Sequence, residues 1–265
     1  MYRGAIFDVD GVLVDSPHER AWKEALQQLM DSPGWASLRA ASDYTPDAFT
    51  SEVYETVLSG RPREAGALGA LQHFHVPNPE QHVAEYAEKK QARLVELIDA
   101  GAFHAYPDAV RFLFAMHDLG IRTVTASSSK NAKLFLERVK LSTILDAASM
   151  ARRQLGADST VLDLLDADVS GRDFPRGKPD PMIFLAGAAE LKEDPAGCFV
   201  IEDAVAGIQA ALAGGMDGLA ISRLNDVAML QAANATLVLT SLDDVDLAAL
   251  GQGTIVARRG TVPAG

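Results

Sequence analysis

The chain has 265 residues, of which 48% are hydrophobic, and a formal net charge of −12 at pH 7. This acidic balance argues against non-specific binding to nucleic acid or to an anionic membrane surface. The chain is long enough to bury a core, and none of its apolar runs approaches membrane-spanning length. The single cysteine, Cys198, cannot form a disulfide within the chain, and we recognise no signal peptide, so we expect a cytoplasmic protein.

Two carboxylates at the end of the first predicted strand are the strongest functional signal. The strand covers residues 2–7, and Asp8, Asp10 and Gly11 follow it. Residues two apart on an extended chain point to the same side, and acids that lie close together repel unless a cation or a shared proton compensates. Because open α/β sheets bind ligands at the carboxyl ends of their strands, the pair indicates a ligand or metal site. An ordinary strand that ends in an Asp-Gly turn is the alternative.

Residues 16–103 contain helical patterns and no convincing strand. Helices are predicted at residues 18–30, 46–58, 64–74 and 79–100. We therefore expect two domains. A helical cap domain, residues 16–103, is inserted into a core domain that is formed by residues 1–15 and 104–265.

Predicted strands and helices alternate in the rest of the chain. Strands are predicted at residues 121–126, 198–201, 218–221 and 235–239, and helices at residues 107–119, 180–191 and 204–213. This alternation is typical of an α/β fold with a doubly wound, mostly parallel, Rossmann-like sheet. The polar stretch 152–177 is predicted to be a long loop with one helical turn near residues 161–165, and the tail after Gly251 to be a last strand or a loose end.

Polar side chains also follow later strands of the predicted sheet. The run from Ser127 to Asn131 leads into a helix, where hydroxyls and backbone N–H groups bind anions or simply cap the helix. Lys178 precedes another helix, a position at which a lysine is usually a solvated surface charge. Glu202 and Asp203 end a strand, and such carboxylates suit Mg²⁺ or cap the next helix.

These groups occur in the order that is typical of the haloacid dehalogenase superfamily of phosphotransferases, which the chain resembles throughout its core. The resemblance implies that Asp8 is a nucleophile that becomes an aspartyl phosphate, and that Asp10 is a general acid and base. It also implies that Ser127 and Lys178 hold the phosphoryl group during transfer. The Mg²⁺ ligands that it implies are Asp8, Asp10, Glu202 and Asp203.

Within the superfamily, the chain resembles the β-phosphoglucomutases most. The resemblance in the core implies that Ser129, Lys130 and Asn131 bind the phosphate that is not transferred. In the insertion, the stretch that contains Gly60 and Arg63 resembles the substrate loop of the cap, with Arg63 as the arginine that binds phosphate.

Two further stretches of the insertion extend this resemblance. His18 and Trp22 match residues that lie beside the sugar, and Lys90 with Gln91 matches a pair that contacts it. The alternatives are a surface residue for His18, cap packing for Trp22 and a solvated helix face for Lys90. The stretch from Asp15 to His18 is shorter than in compact mutases, and the loop 152–177 is longer.

The resemblance implies a Mg²⁺-dependent enzyme that interconverts β-D-glucose 1-phosphate and glucose 6-phosphate. It implies an aspartyl phosphate and a hexose 1,6-bisphosphate intermediate, with glucose 1,6-bisphosphate as the activator. A sugar-phosphate phosphatase of the same fold is the first alternative, and a non-catalytic phosphate-binding protein is the second. We expect a small sugar phosphate as the only partner, with no nucleic acid and no membrane, and a monomeric protein.

Overall fold

The computed structural model describes residues 1–58, 61–224 and 226–260. The chain forms two compact units, one of Met1–Ser16 with His104–Gly265 and one of Pro17–Phe103, which we call the core unit and the helical unit. Across the described residues, no helix is both long enough and apolar enough to cross a membrane.

The core unit contains a six-stranded sheet in which every neighbouring pair of strands is parallel. The strands run in the order β5-β4-β1-β6-β7-β8, and a two-stranded antiparallel ribbon pairs β2 with β3. The strands are β1 Gly4–Phe7, β2 Val14–Asp15, β3 His104–Ala105, β4 Arg122–Thr125, β5 Ala167–Asp168, β6 Cys198–Glu202, β7 Asp217–Ile221 and β8 Leu237–Leu239.

Helices connect the strands of the core unit and form the whole regular structure of the described helical unit. The α-helices are α1 His18–Met30, α2 Ala36–Ala40, α3 Ser51–Val53, α4 Arg63–His73, α5 Val83–Asp99, α6 Pro107–Asp118, α7 Ala132–Arg138, α8 Ala147–Arg152, α9 Met182–Leu191, α10 Val205–Ala213, α11 Val227–Ala232 and α12 Leu247–Gly251.

The central strands of the sheet are buried along their whole length, as parallel strands covered on both faces must be. β1 lies between β4 and β6, and Phe7 pairs with Thr125 on one side and with Ile201 on the other. The three strands therefore end level with one another. The predicted α/β fold with a doubly wound parallel sheet is confirmed.

Some predicted elements of the core unit differ from the structure. The stretch 152–177 contains the edge strand β5, which the sequence did not reveal because two residues carry no alternating pattern. The predicted turn near residues 161–165 is confirmed as a 3-10 helix, Val161–Leu164. In the tail, Ala257 forms one isolated bridge to Val245 instead of a last strand.

The helical unit is built around a contact between α1 and α5. Ala21, Trp22, Ala25, Leu26 and Leu29 repeat at helical spacing along the buried face of α1. Trp22, Ala25, Leu26 and Leu29 join an apolar cluster that includes residues of α4 and α5. The sequence of α1 thus fixes which of its faces is covered.

Two predicted helices of this unit are broken in the structure. The prediction at 46–58 was wrong as a single helix, because the chain forms Pro46–Ala48, α3 and the π-helical turn Tyr54–Leu58 in succession. Thr50 caps the start of α3, because its hydroxyl accepts a hydrogen bond from the backbone N–H of Val53. The prediction at 79–100 divides at His82 into Pro79–Gln81 and α5.

Candidate functional site

Polar groups lie together where β1, β4 and β6 end. Asp8 follows β1, and its backbone N–H donates a hydrogen bond of 3.0 Å to the carbonyl of Ile201 in β6. On the other side of β1, the N–H of Ala126 donates to the carbonyl of Phe7 at 2.8 Å, and Ser127 comes next. The level strand ends thus bring the polar residues after them to one edge of the sheet.

Lys178 connects two of the carboxylates at this edge. Its Nζ lies 2.6 Å from Oδ1 of Asp8 and 2.5 Å from Oε1 of Glu202. Burial by itself would lower the pKa of Lys178, but the two carboxylates raise it above the ordinary value, so the ammonium is the stable form. Lys178 is therefore a buried structural cation and not the solvated surface charge that the sequence also allowed.

Three carboxylates converge on the same place. Oxygen atoms of Asp8, Glu202 and Asp203 lie within 4.8 Å of one another. Burial is the main cause that raises the pKa of Asp8, and Lys178 opposes it while Glu202 and Asp10 add to it. Burial and the neighbouring carboxylates of Glu202 and Asp8 likewise raise the pKa of Asp203.

The charge and the atoms of this cluster fit a divalent cation. Three carboxylates and one ammonium leave an excess of negative charge among largely buried groups, which repel one another. The side-chain ligand atoms of this cluster are carboxylate oxygens, and Mg²⁺ prefers such hard ligands. The residues present are therefore suited to hold Mg²⁺.

Glu202 also holds Lys178 in place through its hydrogen bonds. Its Oε1 accepts from Lys178, and its Oε2 accepts from the backbone N–H groups of Asp203 and Ala204 at 2.8 and 2.7 Å. A Cβ on Gly207 would lie 1.9 Å from Oε1, so only glycine leaves room for the carboxylate. Glu202 thus orients Lys178, a role that the sequence did not reveal.

Gly11 holds the loop after β1 close to Asp203. It has a φ of +78°, and a Cβ built on it would lie 1.8 Å from Oδ2 of Asp203. Both facts require glycine at this position. The adjacent Asp10 is half-buried, and a backbone bridge joins it to Val14.

The run that follows β4 is tightly hydrogen-bonded. Oγ of Ser127 accepts from the N–H of Ser129 at 3.1 Å, and Oγ of Ser129 accepts from the N–H of Asn131 at 3.3 Å. These hydroxyls therefore hold the turn that precedes α7, while no side-chain hydrogen bond caps the helix itself at Asn131. The backbone of Ser127 is held in turn by Ser170 at 3.1 Å and by Gly171 at 2.8 Å.

The turn at Ser127 is supported by the end of β5 and the residues after it, which the sequence did not predict. Oδ1 of Asp168 accepts from Oγ1 of Thr125 at 2.9 Å and from the N–H of Ser170 at 2.8 Å. It thereby orients the serine that holds Ser127. The only sequence signal was a pair of polar residues in a stretch that we predicted to be an irregular loop.

Lys130 and Asn131 differ in their surroundings. Asn131 is buried, whereas the side chain of Lys130 is about half exposed and lies 2.5 Å from the carboxylate of Asp173. Asp173 belongs to the long loop 152–177. The loop thus supplies an anion to the lysine that was predicted to bind a phosphate.

The helical unit has its own polar cluster. Lys90 is only 4% exposed, its Nζ lies 2.9 Å from Nδ1 of His18, and the same atom lies 5.0 Å from the ring centre of Trp22. Tyr86 donates its hydroxyl hydrogen to the carbonyl of Trp22 at 3.0 Å. The solvated-face interpretation of Lys90 was therefore wrong, and Trp22 does belong to the packed interior.

The remaining predicted site residues, Gly60, Arg63 and Gln91, belong to the helical unit. Arg63 is half-buried at the first position of α4. Gly60 lies outside the described residues. Gln91 is half-buried on α5 next to Lys90.

Comparison with known proteins identifies the family. Residues 2–215 match the family model of haloacid dehalogenase-like hydrolases. The chain belongs to this family. The resemblance noted from the sequence is therefore confirmed, and the protein is an enzyme of the haloacid dehalogenase superfamily.

Curated relatives include phosphatases and mutases. The chain is 27% identical to hexitol phosphatase A of Escherichia coli over 96% of its own length and 98% of that protein. It is 30% identical to validoxylamine A 7′-phosphate phosphatase of Streptomyces hygroscopicus, over 92% and 96%. It is 27% identical to β-phosphoglucomutase of Bacillus subtilis, over 83% and 84%.

A solved structure supports the same assignment. The archaeal β-phosphoglucomutase of Pyrococcus sp. strain ST 04 superposes with a TM-score of 0.67 at 26% identity, over 93% of this chain and 96% of that one. CbbY of Rhodobacter sphaeroides, solved with xylulose-1,5-bisphosphate, has a TM-score of 0.66 over 93% and 97%. Because the sequences are only 21% identical, this comparison shows similarity of fold alone.

Proposed function

We propose that this protein is a Mg²⁺-dependent phosphotransferase that interconverts β-D-glucose 1-phosphate and glucose 6-phosphate. The observation that carries the proposal is the presence of two separate polar clusters. One joins Asp8, Lys178 and Glu202 in the core unit, and the other joins Lys90 and His18 in the helical unit. A phosphatase uses water as its acceptor, whereas a mutase must also bind and orient the hydroxyl group of a sugar.

The first step of the proposed reaction is attack by a carboxylate oxygen of Asp8 on the phosphorus atom. A bond forms between that oxygen and phosphorus, and the bond between phosphorus and the leaving oxygen breaks. Lys178 supports this step, because its ammonium lies 2.6 Å from Asp8 and neutralises charge on the phosphoryl oxygens. The hydroxyl of Ser127 holds the same phosphoryl group.

Asp10 handles the proton in this step. It protonates the oxygen that leaves and removes the proton from the hydroxyl that attacks in the reverse direction. The carboxylates of Asp8, Asp203 and, directly or through water, Glu202 would hold Mg²⁺, and the resemblance adds the backbone carbonyl of Asp10 as a further ligand. When bound, Mg²⁺ supplies positive charge that neutralises the transferring phosphoryl group.

The complete reaction needs two transfers. Phosphorylated Asp8 first gives its phosphoryl group to the 6-hydroxyl of β-glucose 1-phosphate, which yields glucose 1,6-bisphosphate. The bisphosphate then binds in the opposite orientation and returns its 1-phosphoryl group to Asp8, which releases glucose 6-phosphate. Glucose 1,6-bisphosphate is therefore both intermediate and activator.

The phosphate that is not transferred needs its own binding residues. Arg63 offers a guanidinium fork, and Lys130 offers an ammonium once a phosphate replaces Asp173 as its partner. Sugar hydroxyls are bound by the polar cluster of the helical unit. The proposed substrate-binding residues are His18, Trp22, Gly60, Arg63, Lys90, Ser129, Lys130 and Asn131.

Arg63→Ala should lower kcat/KM for β-glucose 1-phosphate by at least about tenfold, because it removes a charge-assisted contact to the distal phosphate. Hydrolysis of acetyl phosphate, which has no second phosphate, should be nearly unchanged. Arg61→Ala is the matched control, since Arg61 is exposed two residues away and donates to the carbonyl of Thr56. Steady-state kinetics on both substrates measure the difference.

Equal losses on the two substrates would place Arg63 in a structural role, and the argument from a second phosphate pocket would then fail. A loss of the same size in Arg61→Ala would show that the segment, and not the guanidinium of Arg63, is responsible.

The affinity for Mg²⁺ should rise with pH. Burial raises the pKa values of Asp8 and Asp203, so the metal-free protein keeps protons on these carboxyls at pH values where free carboxylic acids have lost them. Mg²⁺ must displace these protons, and its affinity increases by up to about tenfold per pH unit for each proton displaced. Calorimetric titrations at about pH 6 and about pH 8 test this direction.

Asp203→Ala should weaken Mg²⁺ binding and flatten this pH dependence, because it removes both a ligand and a group that titrates. Asp158→Ala is the control, since it removes a carboxylate that is 92% exposed. Titration curves of Asp203→Ala that coincide with those of the wild type would exclude Asp203 as a ligand.

A sugar-phosphate phosphatase is the second candidate. The support for it is that two phosphatases are among the relatives that align over nearly their whole length. Release of inorganic phosphate, in place of transfer to a sugar hydroxyl, is the outcome that distinguishes it from the mutase.

A further inference from the structure

Arg223 forms a buried ion pair just beyond the end of β7. Its two terminal nitrogens each lie 3.1 Å from an oxygen of Asp108, and its side chain is only 12% exposed. Asp108 lies in the first turn of α6 and also accepts from the backbone N–H of Leu242 at 2.9 Å. The pair therefore joins the end of β7 to α6 and to the turn after β8.

The same guanidinium reaches the loop after β1. Nε of Arg223 donates to the carbonyl of Gly11 at 3.4 Å. The guanidinium also stacks on Tyr106, at 3.9 Å from the ring centre, and the N–H of Tyr106 donates to the carbonyl of Leu13 at 2.9 Å. Arg223 thus holds the loop of residues 9–14 directly at Gly11 and indirectly at Leu13.

On its other side, this loop meets the carboxylate cluster. Gly11 packs against Asp203 so closely that no Cβ would fit, and the loop carries Asp10. A displacement of the Gly11 carbonyl would therefore move both Asp10 and the surroundings of Asp203. Val9, Val12, Leu13 and Val14 of the loop are buried, and packed interiors transmit such displacements.

The electrostatics of Asp108 show that its ion pair with Arg223 is a favourable one. Burial by itself raises the pKa of Asp108, but hydrogen bonds from Arg223 and from the Leu242 N–H lower it below the ordinary value. A lysine at position 223 would keep one positive charge but would lose the fork and the stacking on Tyr106.

We propose that Arg223, together with Tyr106, is a positioning residue that fixes the loop of residues 9–14 and thereby the carboxylate of Asp10 relative to Asp8. This inference rests on the proposed function, because it assumes that Asp10 transfers the proton. Arg223 itself touches neither the substrate nor the reacting atoms in this proposal.

Arg223→Lys should lower kcat by about tenfold to a hundredfold while KM changes by less than about threefold, because substrate contacts are kept and a reacting group is misplaced. Arg111→Lys is the matched control. Arg111 also binds a carboxylate, that of Asp243, through two nitrogens, but both side chains are 46% exposed. Turnover is counted as the sum of glucose 6-phosphate and inorganic phosphate.

A double-mutant cycle with Asp10→Asn separates positioning from a general structural effect. If Arg223 acts through Asp10, the double variant should be within about threefold of Asp10→Asn alone. Losses that multiply would overturn the proposal, because they would show that the two residues act independently.

Amide hydrogen exchange measures the position of the loop without reference to activity. In Arg223→Lys, peptides that cover residues 9–14 should exchange about tenfold faster than in wild type, while peptides from β6 and the whole Arg111→Lys protein stay unchanged. Unchanged exchange in residues 9–14 would overturn the proposal. Should Arg223→Lys not fold, Tyr106→Leu, which keeps the pair of Arg223 with Asp108, is held to the same criterion.

The two hypotheses fail in different ways. Absence of glucose 6-phosphate would contradict the proposed mutase activity and leave the cycle and the exchange measurement intact. If residues 9–14 exchange no faster in Arg223→Lys than in wild type, the positioning role is contradicted, even if the wild type is a fully active mutase.

Discussion

Asp8→Asn is expected to abolish phosphoryl transfer, with a loss in kcat of at least about a thousandfold, and to leave the fold intact. An amide cannot form an acyl phosphate, so the variant lacks the proposed nucleophile. The substitution keeps the shape of a side chain that is only 6% exposed, and Lys178 keeps Glu202 as its partner. Kinetics and circular dichroism measure the two effects separately.

The phosphorylated intermediate provides a second readout for this variant. Wild-type protein with Mg²⁺ should bind aluminium or beryllium fluoride as a mimic of the phosphoryl group, and Asp8→Asn should bind the beryllium complex far more weakly. Residual turnover in Asp8→Asn above about one per cent of wild type would remove Asp8 from the role of nucleophile.

Lys178→Met is expected to have the largest effect on stability. The substitution leaves the buried carboxylates of Asp8 and Glu202 without their shared cation, and breaking a buried ion pair costs about 3–5 kcal/mol. Mg²⁺ should restore part of the free energy of unfolding, because it neutralises the same cluster. Urea denaturation with and without Mg²⁺ measures both effects.

Lys140→Met is the control for this substitution. Lys140 also forms an ion pair, but its partner Asp158 is 92% exposed, so we expect no measurable change in stability. Equal denaturation midpoints for the two variants in the absence of Mg²⁺ would contradict the proposed role of Lys178 as the cation that stabilises the cluster.

The sequence predicted the parts of the fold that repeat a pattern over several residues. The buried runs of β1 and β6 are continuous apolar segments, and the acids after them, Asp8 and Glu202, stand out against those runs. The convergence of these strand ends then follows from the parallel topology alone. The grouping of these acids at one edge of the sheet could therefore be predicted from the sequence, whereas their roles came from the resemblance.

What the sequence did not reveal depends on contacts between distant residues. β5 has two residues and no pattern, although its last residue, Asp168, and Ser170 after it orient the turn at Ser127. Arg223 and Asp108 are 115 residues apart, so no local signal joins them. Lys90 is in a charged helix, and only the fold shows that it faces His18 rather than solvent.

The most direct test of the central claim is phosphorus NMR of β-glucose 1-phosphate mixed with the wild-type protein, Mg²⁺ and a trace of glucose 1,6-bisphosphate. The proposed mutase predicts that the glucose 1-phosphate signal is replaced by that of glucose 6-phosphate, and that Asp8→Asn leaves the spectrum unchanged. Accumulation of inorganic phosphate without any glucose 6-phosphate would contradict the claim and identify the protein as a phosphatase.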